Sequence, residues 1–150
     1  MNNGSMTDEP ILWPHLMGTA GQSTAGVLVE RSYIGQAYLE NFRRAAQFEG
    51  IQVVAEEYIA QTGQDISGAV RQLHDAGASA IVHCGFGLGV AEINFGLEAL
   101  SWDPPRYMGT AIETGFNEHL WDAYRGWIGL EQYDEANLVG QAFLDRFEAA

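Results

Sequence analysis

The sequence predicts an α/β fold: a three-layer α-β-α sandwich whose five-stranded parallel sheet runs in the order 2-1-3-4-5. Three observations carry this. Short apolar runs alternate with stretches whose apolar residues recur at helical spacing, the pattern of parallel strands joined by covering helices. Glycines stand where two of the helical stretches stop, at Gly50 and Gly77. The stretch from Ser79 to Leu100, SAIVHCGFGLGVAEINFGLEAL, displays one whole unit: a buried strand, a glycine-rich turn and a helix. Right-handed crossovers then wind such units onto both faces of one sheet.

Taken in order, residues 1–23 read as an irregular lead-in, because Pro10 and Pro14 break regularity and Gly18, Gly21 and Ser23 follow. Met1–Ser5, ahead of a second methionine at Met6, has the look of a cloning scar. Ile11, Leu12, Trp13, Leu16 and Met17 are expected to pack on something. The first strand is Ala25–Glu30, Arg31–Gly35 its turn, and a helix with Leu39, Phe42 and Ala46 on one face runs to Glu49. The second strand is Ile51–Ile59, and the acids Glu56 and Glu57 suggest that it leaves the covered zone of the sheet there. Asp65 caps a helix with Ile66, Ala69, Val70, Leu73 and Ala76 inward.

Ala80–Val82 begins the third strand, and Val90, Ile93, Leu97 and Leu100 mark the inner face of the next helix. Pro104 and Pro105 forbid its continuation. A fourth strand spans Arg106–Thr110, and a short helix Thr114–Ala123 has Phe116, Leu120 and Trp121 apolar. A fifth strand spans Gly126–Leu130, and Asp134 caps a last helix with Leu138, Val139, Ala142, Phe143 and Phe147 inward.

Composition narrows the function. The net charge of -13, from 20 acids against 7 bases, disfavours nucleic acid and anionic membranes as partners. No apolar run is long enough to span a bilayer, and the first residues show neither the basic nor the apolar region of a signal peptide. The single cysteine, Cys84, reads as a buried inert thiol, since His83 beside it on a strand points to the opposite face. No pair among His15, His74, His83 and His119 has metal-ligand spacing. His74, beside Asp75, reads as a surface residue; His83 either enters a cleft or is a hydrogen-bonded core residue. Gly85, Gly87 and Gly89 fail the dinucleotide fingerprint, because Val90 stands where the third glycine belongs. No cofactor, metal or catalytic activity is expected.

The block GVLVERSYIGQAYLENFRRAAQFEGIQVVAEEYIAQTGQDISGAVRQLHDAGASAIVHCGFG resembles the second lobe of type I periplasmic binding proteins. These are the leucine/isoleucine/valine-type solute receptors of ABC transporters. The shared features run from the Ser32–Gly35 turn through the GIQVVAEE strand and the Thr62–Ser67 segment to the AGASAIV strand ending in Gly85-Phe86-Gly87. The resemblance makes residues 24–150 a single α/β ligand-binding lobe, and implies a missing N-terminal lobe, a small-molecule solute and an ABC transporter permease as partners. It places the full-length protein in the periplasm or at the cell surface. Trp13–Gly21 is similar to the segment preceding the second lobe, and GWIGLEQYDEAN to the strand returning toward the hinge.

Ligands of open α/β sheets sit at the carboxyl ends of the strands, so the turns there supply the candidate residues. Ser32 and Tyr33 either face solute or cap the helix; where the family often has tyrosine before the glycine, this chain has Ile34. By the resemblance, Phe86 matches a position where amino-acid-binding members place an aromatic ring against the ligand, with Gly87 beside it; the alternative is packing on the neighbouring lobe. Thr110 and Ala111 follow the fourth strand, and Ala111 stands where amino-acid-binding members have a carboxylate, leaving Glu113 as the nearest acid. Glu131, Gln132 and Tyr133 follow the fifth strand and either meet solute or belong to the hinge. Two other readings stay open: a ligand-sensing regulatory domain, and a stand-alone lobe forming a homodimer through exposed Trp13, Trp102, Trp127 and Phe86. A receiver-type module lacks its aspartate, because the first and third strands end in Glu30-Arg31-Ser32 and His83-Cys84-Gly85.

Overall fold

The computed structural model describes residues 5–60, 66–87, 89–109 and 121–129. Its first element is a helix, α1 (Ser5–Thr19), where an irregular lead-in was expected. Glu9, Pro10, Trp13, Pro14 and Met17 form one buried stripe along it. Each interior proline deletes a helical hydrogen bond, at about 3 kcal/mol. Complete burial of Trp13 and Met17 offsets much of that, at about 1.5–3 kcal/mol for a side chain of methionine size and more for tryptophan. Trp13 is therefore core and not exposed partner-facing surface; its ring meets Tyr38 edge-on at 5.7 Å. Ile11 and Leu12, expected to pack, face outward.

The remaining elements alternate. They are β1 (Thr24–Glu30), α2 (Tyr33–Glu49), β2 (Gln52–Ile59), α3 (Ile66–Asp75) and β3 (Ala80–Cys84). Then come α4 (Val90–Ala99), β4 (Arg106–Met108), α5 (Trp121–Tyr124) and β5 (Trp127–Ile128). Among the described residues every strand pairing is parallel and the order is β2-β1-β3-β4-β5, as predicted. Strand side chains alternate between faces. Val27, Val29, Val82, Cys84 and Tyr107 meet α1 and α2 on one side, around Trp13, Leu39 and Phe42. Leu28 and Ile81 meet α3 and α4 on the other, around Val70, Leu73, Ile93 and Leu97. Gly50 closes α2 in the left-handed conformation, φ 73°, with its N–H on the Ala46 carbonyl.

Three local expectations change. β2 does not leave the sheet at its acids: Val27 and Leu28 pair with Glu56 and Glu57, and pairing continues to Ile59. It is an edge strand, half covered, and Arg43 of α2 reaches across to Glu56 through two hydrogen bonds. Ala76 lies beyond α3 and is exposed. β4 stops at Met108, and β5 holds two residues that, among the described residues, pair with β4. The Asp65 cap, most of the Thr114–Ala123 helix and the Asp134 helix lie outside the described residues. Among the described residues no helix is long and apolar enough to cross a membrane.

Candidate functional site at the carboxyl edge of the sheet

Parallel pairing brings the carboxyl ends of β1, β3 and β4 to one edge. At β1 the chain turns at once into α2. Ser32 is extended, and its Oγ accepts a hydrogen bond from the Gly35 N–H at 3.0 Å, capping the helix. The first turn of α2 sits hard against the edge: a Cβ on Gly35 would fall 2.2 Å from the Glu30 carbonyl oxygen and 3.1 Å from that of Cys84. Tyr33, one residue beyond the cap, is 81% exposed. Of the two readings for this pair, the Ser32 oxygen takes the capping role, while the Tyr33 ring stands free in solvent at the strand end.

Beyond β3, Gly85–Gly87 makes the turn anticipated from the sequence. Phe86 is 40% exposed, and Gly87 is buried. The Gly87 N–H donates to Glu30 Oε1 at 3.1 Å, and its carbonyl accepts from Tyr124 Oη at 3.3 Å. Ser32, Tyr33, Phe86 and Gly87 therefore share one edge, just past the carboxyl ends of adjacent strands. Thr110, Ala111, Glu113, Glu131, Gln132 and Tyr133 lie outside the described residues.

Two carboxylates that sequence reasoning passed over are buried at this edge. Glu30 ends β1 on the α3/α4 side of the sheet with no exposure. Glu9 of α1 lies on the opposite side at the end of β4, accepts from Tyr38 Oη at 3.1 Å, and comes within 2.8 Å of where a Gly109 Cβ would stand. A signal existed for Glu30: an acid closes an otherwise apolar buried strand, and a glycine directly follows the neighbouring strand.

His83 neither enters a cleft nor sits in a hydrogen-bonded core. It is fully buried, its ring stands edge-on to Trp127 at 6.3 Å, and neither ring nitrogen has a hydrogen-bond partner. Its Nε2 is 3.5 Å from Glu30 Oε1, too long to count as a bond, and burial pushes its pKa down to about 4. Burial first, and the Glu56 charge next, push the Cys84 thiol far up, leaving it inert on the other face of the sheet. His74 is exposed beside Asp75, as expected. No cluster of metal-ligating side chains occurs among the described residues. The edge thus offers an aromatic ring, a phenol and backbone groups, which suit contact with a small molecule.

A family model described as periplasmic binding protein matches residues 12–150. The chain belongs to that family. It is the family whose second lobe the residues resembled. Among solved structures, one from Rhodospirillum rubrum, described as a branched-chain amino acid ABC transporter, superposes with a TM-score of 0.77 at 17% identity. That alignment covers 97% of this chain and 42% of the other. A branched-chain amino acid ABC transporter from Thermus thermophilus with bound valine gives 0.69 at 17% identity, covering 95% and 39%. A solute-binding protein from Rhodopseudomonas palustris in complex with 3,4-dihydroxybenzoic acid gives 0.70 at 12% identity, covering 96% and 41%. These likenesses carry the fold. The chain spans about two-fifths of the length of these structures. A search of curated protein sequences finds no match.

Proposed function

We propose that this chain is one lobe of a two-lobed solute receptor of an ABC-type uptake system, acting in the periplasm or at the cell surface and binding without catalysis. The carrying observation is the carboxyl edge itself: the Phe86 turn and the Tyr33 helix start follow the carboxyl ends of the adjacent strands β3 and β1, both aromatic and open to solvent. Membership of the periplasmic binding protein family supports this reading. The solute is a small polar or amphipathic molecule, such as an amino acid, an amide or a related acid. Neighbours of this fold hold valine and 3,4-dihydroxybenzoic acid, two molecules of that size. In a two-lobed receptor each lobe supplies part of the contacts, and solute shifts an open–closed equilibrium toward the closed state.

The test is calorimetric titration of the 150-residue chain beside the protein that carries both lobes, with valine, 3,4-dihydroxybenzoate and a panel of amino acids and amides. The two-lobed protein is expected to bind a panel member at least about 100-fold more tightly than the chain alone, because half of the contacts correspond to several kcal/mol. Sub-micromolar binding by the 150-residue chain on its own would contradict the proposal.

A further inference from the structure

Glu30 is an unusual residue for the end of a covered parallel strand. Its side chain is wholly inaccessible, and burying a carboxylate costs several kcal/mol unless polar groups surround it. Two features of the neighbouring strand fit it closely. Gly85, directly after β3, has no Cβ; one there would stand 2.2 Å from Glu30 Cδ and 2.6 Å from Oε2. Two residues on, the Gly87 N–H points at Glu30 Oε1. The carboxylate therefore lies across the start of the turn and grips its far end, with Phe86 between the two glycines. The other side of the turn is held by Tyr124 Oη on the Gly87 carbonyl.

We infer that Glu30 is the positioning residue of the Gly85–Gly87 turn, and that its buried carboxylate sets where the Phe86 ring stands at the carboxyl edge. The consequence for solute binding rests on the function proposed above; the latch itself does not. This hydrogen bond crosses from the end of β1 to the loop after β3. It holds the loop through the backbone N–H of Gly87, while the Phe86 side chain is 40% exposed.

Amide hydrogen exchange of the 150-residue chain tests this without any solute. Glu30→Met keeps the length and buried volume of the side chain and removes the acceptor; Glu30→Gln keeps an acceptor oxygen at the same place. In Glu30→Met the Gly87 amide should exchange at least about 10-fold faster while Val82, inside β3, keeps its protection. Glu30→Gln should hold Gly87 within a few-fold of the parent. Unchanged Gly87 exchange in Glu30→Met overturns the inference. So does equal loss in both variants, and so does uniform acceleration of Gly87 and Val82, which marks a general loss of stability. A Gly85→Ala substitution supplies an independent check: placed in the Glu30→Ala background it should cost less stability than in the parent, because the clash with the carboxylate is gone. Strict additivity of the two substitutions counts against the latch.

Discussion

Burial without a hydrogen bond leaves the His83 imidazole neutral in the folded chain, with its pKa pushed down to about 4. In the unfolded chain the same group titrates near about 6.5. Between these values the unfolded state takes up a proton that the folded state refuses, so stability falls as pH drops through the window and is intact above it. The loss is about 2–3 kcal/mol between pH 7 and pH 4.5. Urea denaturation at the two pH values should show this for the parent and a clearly smaller loss for His83→Leu; equal losses would contradict a neutral buried imidazole. This environment was not legible beforehand. The choice between a cleft residue and a satisfied core residue omitted the third state, a buried ring facing Trp127 with Glu30 just out of bonding range. Glu30 was missed for a related reason. Its meaning comes from Gly85 and Gly87, more than fifty residues away, which only the β1–β3 pairing brings beside it.

At the scale of elements, β1 and β3 were legible as short buried apolar runs, α2 to α4 as stretches with apolar residues at helical spacing, and glycine marks several ends. The helix α1 was not. Its buried stripe contains two prolines and an acid, and two of its most apolar residues, Ile11 and Leu12, face outward, so both hydropathy and breaker rules point away from a helix. Packing against α2 decides the matter. Trp13→Ala should therefore destabilise the chain by about 3–5 kcal/mol, as for truncation of a buried aromatic ring. Leu12→Ala, one residue away but outward, should stay within about 0.5 kcal/mol. Urea midpoints of the two variants distinguish them; similar small effects would mean that α1 is not part of the core. The edge strand β2 teaches the reverse lesson. Its acids were noticed, but Arg43 on α2 and the edge position explain them without any departure from the sheet.

For the whole molecule, the layer arrangement followed from alternation and handedness, the strand order is one of the doubly wound orders these allow, and the family followed from the order of short motifs. The common placement of the Ser32–Tyr33 and Phe86–Gly87 turns was legible too, because a parallel sheet brings the carboxyl ends of its strands to one edge. Phe86 and Phe48 make the comparison that matters. Both are exposed aromatics, but Phe86 stands at the carboxyl edge and Phe48 near the far end of α2, 89% exposed. For the proposed two-lobed receptor, the measurement is calorimetric affinity for the tightest-binding panel solute, with Phe86→Ala and Phe48→Ala compared against the parent. Phe86→Ala should weaken binding by about 10-fold or more, near 1.4 kcal/mol, with the unfolding midpoint kept, and Phe48→Ala should leave affinity unchanged. An unaltered affinity in Phe86→Ala, or an equal loss in both variants, would contradict a solute site at the carboxyl edge of this sheet.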